Sequence, residues 1–347
     1  MTHVATAETA AGSAQDVHAR ITRLFTRIVP GGSGPRITRL SGGASQESWL
    51  ICGTDAGGAV VEFVMRRGQD GSGAIRDKEV GLPTEAAVIR AAMRHGVPVP
   101  QIVHELDEDD GLGTGFVMRR VHGETIARKI LRDAAFDAVR PRLAQMAGAV
   151  LASIGQVPLD TLPSLPVWPA RERLAALRET YERLGHKRPI LEYGFRWLEE
   201  RIPADPARLT LVHGDFRNGN LMIGPQVGIA AVLDWELVHI GDPMEDMGWL
   251  CTPSWRFGEI DKAAGGFGTA DALIAGYEEA GGALVDRSLL QFWTVLGSLN
   301  WGLGCTLFAF NFRNGDRTVE RGSIGRRISE NELDIMMLTR AKDGVLL

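Results

Sequence analysis

Cysteine is nearly absent. The 347 residues contain three, Cys52, Cys251 and Cys305, odd in number and widely spaced. That pattern argues against a disulfide framework or a thiolate zinc site, and points to reduced thiols in a cytoplasmic protein. Lysine is scarce, so arginine supplies most of the 38 basic residues. Strong charge of either sign is missing too. The net charge of −5 argues against a dedicated nucleic-acid partner. The opening stretch, MTHVATAETAAGSAQDVHAR, has no basic n-region and no apolar h-region, so it does not read as a signal peptide. Its small and polar residues predict a flexible tail over residues 1–20. One long uncharged run is present, from Ser288 to Phe312, and it is long enough to cross a bilayer. Gln291, Ser298, Asn300, Asn311 and three glycines interrupt it. A buried helix is therefore expected, without stable membrane insertion.

What is present is the composition of a globular protein, 44% hydrophobic and 23% charged, in a chain long enough for two lobes. No internal repeat stands out. Residues 36–66 read as three strands separated by the turns SGGASQ and TDAGG. PTEAAVIRAAMRH, residues 83–95, reads as a helix closed by Gly96, and the prolines of VPVPQIVHEL keep that segment extended. Past residue 125 the periodicity turns helical, most clearly in FDAVRPRLAQMAGAVLASI and WPARERLAALRETYERL. The pattern predicts an α+β protein: a β-rich first lobe over 21–118, a hinge at 119–124 and a helical lobe over 125–347. Short strands around 211–234 sit as an island inside the helical part.

That island carries the chemistry. LVHGDFRNGN, residues 211–220, is followed fourteen residues after Asn220 by the aspartate of VLDWE. Phosphoryl transfer needs a carboxylate to orient and deprotonate the attacking hydroxyl, hard oxygen ligands for Mg²⁺, and positive charge on the phosphates. Asp215, Asn220 and Asp234 supply these groups. The hairpin LMIGPQVGIAAVLD, turning at GPQVG, would return Asp234 to the side of Asn220.

HGDFRNGN, VLDWE and GDPMEDMGWL together resemble the aminoglycoside phosphotransferase superfamily, and in particular the phosphotransferase domains related to those fused to some acyl-CoA dehydrogenases. The likeness runs from about residue 36 to about residue 340. It implies a two-lobed protein-kinase-like fold and the cofactors ATP and Mg²⁺. It also implies that Asp215 is the catalytic base and that Asn220 and Asp234 bind Mg²⁺. His213, Asp242 and Asp246 match supporting positions of the family. The Asp-to-Asn spacing equals that of the kinase catalytic loop. One family feature is missing, a histidine at the end of the first long helix of the large lobe, where this chain has LASIG.

On the nucleotide side, the turn containing Ser41, Gly42, Gly43 and Ser45 is placed to cover phosphates with backbone N–H groups. Kinase-like proteins pair a cation on the third strand with a glutamate on the next helix. Here the cation is Arg66 or Arg67, with the family strand favouring Arg66, and the glutamate is Glu85. The hinge positions Met118, Arg119 and Val121 would hold adenine, mainly through backbone groups. Trp255, Arg256, Asn300 and Trp301 form the candidate acceptor site. The arginines around 256 and 313–327 suit an apolar or anionic hydroxyl acceptor, such as a hydroxyacyl thioester, better than a polyamine. An aminoglycoside or macrolide acceptor is the alternative, and a catalytically silent nucleotide-binding module is the alternative of another class. No DFG or APE element follows Asp234, which argues against a protein kinase.

Overall fold

The computed structural model describes residues 16–40, 46–68, 79–185, 187–204, 206, 208–315 and 318–341. The chain folds as two compact units. One runs through Arg94 and resumes over Val99–Val121; the other takes His95–Pro98 and everything from His122 onward.

In the first unit a helix over residues 16–28 (α1) precedes β1 (Ser33–Leu40), β2 (Gln46–Thr54) and β3 (Val60–Gly68). Helix α2 (Leu82–Arg94), β4 (Ile102–Glu105) and β5 (Gly115–Arg119) follow. The five strands form one antiparallel sheet in the order β1-β2-β3-β5-β4. Alternation along β2 and β3 sends Trp49, Ile51, Phe63 and Met65 into a core shared with Ile21, Leu24 and Phe25 of α1. The spacing of those three α1 residues is that of one helical face. Burying that face draws residues 16–20, placed with the tail from sequence, into the helix. At the other end, Glu85 sits in the first turn of α2, where a carboxylate is favoured by the helix dipole. Gly96, at φ 81°, provides the left-handed residue just past the helix end.

The second unit contains α3 (Ala127–Arg132), α4 (Leu143–Gly155), α5 (Ala170–Leu184), α6 (Pro189–Glu199), α7 (Met244–Cys251) and α8 (Ala270–Glu279). It ends with α9 (Arg287–Arg313), α10 (Val319–Gly325) and α11 (Ile328–Leu338). Helix α4 starts at Leu143 and not near Phe136, because Pro141 lacks an N–H and disfavours helical geometry in the residue before it; the chain makes a 3₁₀ turn there. Among the helices sit β6 (Val167–Trp168), β7 (Thr210–Val212) and β10 (His239–Gly241) as one small sheet, and β8 (Leu221–Gly224) with β9 (Gly228–Val232) as a hairpin. The hairpin turns where GPQVG is found, as its sequence predicts. Ser288–Phe312 lies inside α9, with Trp293, Val295, Leu296 and Leu299 buried. Among the described residues no helix is long and apolar enough to cross a membrane.

Helices α4 and α8 meet at two glycines. A methyl group on Gly148 would strike the carbonyl oxygen of Leu273, and one on Gly276 would strike that of Gln145. The two backbones are therefore closer than any side chain allows. Gly276→Ala is expected to destabilise the protein by about 1–3 kcal/mol, the usual cost of overpacking, and a drop in the urea midpoint at unchanged slope measures it.

Candidate functional site

The loop from Val212 to Leu221 joins β7 to β8, and its shape is held from behind by one buried carboxylate. Asp246, in the first turn of α7, accepts from the backbone N–H of His213 (2.7 Å) and of Gly214 (2.9 Å). Gly214 has φ 85°, and a Cβ there would press on the carbonyl of Leu237, so no other residue fits that turn without strain. Burial pushes the Asp246 carboxyl above its usual range, while the two N–H groups pull the other way. Asp242 supports the same helix: its Oδ1 accepts from Met244 N at 2.8 Å. Burial raises that carboxyl as well.

His213 is fully buried. Its Nδ1 accepts from the backbone N–H of Asp215 (3.1 Å), which leaves Nε2 to donate to the carbonyl of Leu233 (2.9 Å). The bonding pattern thus sets the neutral Nε2–H tautomer. Both nitrogens are engaged, so the ring acts as a brace between Asp215 and the segment leading to Asp234.

Asp215 is held by three donors. Oδ1 accepts from Trp249 Nε1 (2.8 Å) and Arg217 Nε (2.9 Å), and Oδ2 from Asn220 Nδ2 (2.7 Å). Asn220 Nδ2 also donates to the Asp215 carbonyl at 2.9 Å, so the Asn220 amide oxygen is its free end. Leu233 N donates to the Asn220 carbonyl at 2.8 Å, which draws Asp234 alongside. Asp234 itself has φ 66°, a left-handed conformation uncommon for a residue with a Cβ and a recurrent sign of a functional constraint. Two hard oxygen donors, one amide and one carboxylate, suit Mg²⁺.

In the first unit, Arg66 and not Arg67 makes the predicted pair. Arg66 Nη1 lies 2.5 Å from Oε1 of the fully buried Glu85, and Nη2 donates to Gln46 Oε1 at 2.6 Å. Arg67 is directed elsewhere, to Glu47 and the Leu112 carbonyl. Met118 is half-buried and Arg119 exposed. The N–H groups of Arg119 and Arg120 donate to the carbonyls of Gln101 and Glu62, so both are committed to the fold. Ser41, Gly42, Gly43 and Ser45 lie outside the described residues.

Of the acceptor candidates, Trp255 and Trp301 pack ring to ring at 4.8 Å, and Trp255 meets Trp249 at 5.2 Å. Arg217 lies over the Trp255 ring at 4.6 Å. Asn300 lines a small pocket with Arg173, Gly214, Trp249 and Gly297. Arg256 is a correction. It is 1% exposed, and its guanidinium donates to the carbonyls of Cys251 and Ile260, so its charge is committed to the fold. Sequence reasoning passed over Arg217, Gln46 and the ligation of Asp215 by Trp249. Arg217 stands two residues from Asp215, and that proximity was its only signal.

Behind Gly214 lies a buried ionic group. Glu245 is bound by Arg173 (2.6 Å) and by His239 Nε2 (3.0 Å). Burial alone would raise its carboxyl, but Arg173 and His239 more than offset this and hold it at about 2.

The family model described as "Phosphotransferase enzyme family" matches residues 36–283. Acyl-CoA dehydrogenase family member 11 of Pongo abelii is 26% identical over 258 residues, which is 69% of this chain and 32% of that protein. The chain thus spans about a third of that relative's length. A crystal structure of a putative aminoglycoside phosphotransferase from Ralstonia eutropha superposes with a TM-score of 0.74 at 20% identity, covering 93% of this chain and 98% of that one. A spectinomycin phosphotransferase in complex with ADP and spectinomycin superposes with a TM-score of 0.61 at 12% identity, covering 89% and 93%. Together with the β-rich first unit and helical second unit, these give the fold as the kinase-like fold of that superfamily.

The Glu245 group yields a pH signature. Its depressed carboxyl contributes stability that is complete above the unfolded value of 4.5 and is lost as pH falls toward about 2. Glu245→Gln leaves Arg173 without its counter-charge, and is expected to cost about 3–5 kcal/mol at neutral pH. The gap between wild type and variant should narrow as pH falls from 5 to 3, followed by urea unfolding at each pH. A gap that stays constant over that range would refute the assignment.

Proposed function

The chain belongs to the phosphotransferase enzyme family, and on that premise we propose that it is an ATP-dependent kinase that phosphorylates a hydroxyl group of a small molecule. The observation that carries this reading is the Asp215–Asn220–Asp234 constellation, with its left-handed Asp234 and its buried brace. In the proposed reaction Asp215 accepts the proton of the acceptor hydroxyl as its oxygen bonds to the γ-phosphorus. The bond from that phosphorus to the bridging oxygen breaks, and ADP leaves. Trp249 and Arg217 hold the Asp215 carboxylate at one oxygen, and Asn220 holds it at the other. Asn220 Oδ1 and Asp234 would hold Mg²⁺, which when bound neutralises phosphate charge. Arg66, fixed between Glu85 and Gln46, would position phosphates, and the turn containing Gly42 and Gly43 would cover them. Met118 to Val121 would hold the adenine.

The acceptor is assigned as an apolar or anionic hydroxyl compound, a hydroxyacyl thioester being one candidate. Two observations support this: a relative belonging to the acyl-CoA dehydrogenase family, and the tryptophan-rich surroundings of Asp215, in which Arg173 and Asn300 line the small pocket beside Gly214. The competing acceptor is an aminoglycoside or macrolide, favoured by the spectinomycin bound in one structural neighbour. A silent binding module is disfavoured because it needs neither a base nor a clamp on that base.

The test is Mg²⁺-dependent ADP release from ATP across a panel of aminoglycosides, macrolides, choline, sugars and hydroxyacyl thioesters. One class should stimulate turnover, and Asp215→Ala should lower kcat by about 10²–10⁴-fold, the usual worth of a general base. Turnover unaffected by Asp215→Ala would remove the base, and intact ATP binding without any stimulation would favour the silent module.

A further inference from the structure

The C-terminal half of α9, helix α10 and the start of α11 enclose a second pocket, of about 410 Å³, within the range of small-molecule sites. Two glycines make it. A side chain on Gly325 would strike the Ala309 backbone, and one on Gly322 would strike the Phe312 ring, so α10 can lie close against α9. The floor is apolar: Ala309, Phe312 and Ile328, with Phe310 (39% exposed) and Val319 (76% exposed) at the mouth. Around the rim stand Arg313, Arg326 and Ser323, all exposed. The Arg313 and Arg326 side chains make no ion pair or hydrogen bond among the described residues. Arg188, the third arginine, is already neutralised by a two-pronged pair with Glu332 (2.8 and 2.9 Å).

An apolar floor lining an open pocket, beneath two guanidinium groups that have no ion pair among the described residues, has the complement of an amphipathic anion: a hydrocarbon chain ending in a carboxylate or phosphate. The position separates it from the acceptor chemistry. Gly297 lines the pocket beside Gly214, and Ala309 is twelve residues further along the same helix, about 18 Å at 1.5 Å per residue. We propose that this pocket binds a free, medium-chain amphipathic anion as a second ligand, distinct from the phosphate acceptor. The chain enters over Ala309 and Phe312, and the head group sits between Arg313 and Arg326 with Ser323 as a hydroxyl donor. This site does not rest on the kinase reading, because binding alone reports it.

The experiment is isothermal titration of the full chain with decanoate, decyl phosphate and decanol. Saturable one-to-one binding is expected for the anions, at least about tenfold tighter than for decanol, and the stronger of the two anions identifies the head group. The Arg313→Ala/Arg326→Ala variant should lose that tenfold preference while binding decanol unchanged, and Ser323→Glu should weaken the anions in the same way. All three side chains are exposed, so the unfolding midpoint should not move; if the double variant fails to fold, Ser323→Glu carries the test. Equal affinity for decanoate and decanol, anion binding untouched by these variants, or association only with phosphatidylserine vesicles would each overturn the proposal.

Discussion

The geometry around Asp215 depends on one buried carboxylate, 3% exposed, that faces backbone N–H groups. Asp246 takes the N–H groups of His213 and Gly214, two donors that the turn would otherwise leave unpaired. An unpaired buried donor costs about 1–3 kcal/mol, so the turn and the first turn of α7 stabilise each other. Helix α7 is in turn seated on α9 at Gly248, where a Cβ would strike Trp293. The same helix carries Glu245 to its partners Arg173 and His239 and Trp249 to Asp215. Eight residues of α7 thus set the back, the side and one hydrogen bond of the loop. A loop held only by its ends would leave the carboxylate free to rotate.

The loop and the hairpin that follows are coupled by a second set of contacts. His213 ties the Asp215 backbone to Leu233, and Leu233 ties back to Asn220. Asp234 leaves this knot in a left-handed conformation whose cost the surrounding bonds must cover. Trp235 follows with its ring 4.7 Å from that of His213, so the residue after the strained one is fixed by packing. Strain at Asp234 and rigidity on both sides of it are two faces of one arrangement.

Much of this was legible in the residues. The three strands, the closing Gly96, the hairpin turn and the buried middle of Ser288–Phe312, from Leu290 to Thr306, follow from local rules, period-2 alternation, turn chemistry and interrupting polar residues; the exposed end of that run, with Leu307 and Phe310, does not. The pairing of Arg66 was only half legible, because alternation along β3 could not say which arginine faces α2. What stayed hidden depends on contacts between distant segments. Trp249 reaches Asp215 across 34 residues, and Gln46 reaches Arg66 across 20. Arg256 misled for a related reason. An arginine in an aromatic stretch looks available until the fold supplies carbonyls from its own turn, and burial then removes it from any ligand.

Gln46 also bears on how the arginine of β3 is held. An ammonium is a point charge, and a single glutamate is enough to orient it. A guanidinium is a plane, and one contact at Nη1 would leave it free to swing about that bond. Glu85 at Nη1 and Gln46 at Nη2 hold the plane at two points. The two partners lie on different elements, Glu85 on α2 and Gln46 on β2, so the orientation of this one side chain depends on both.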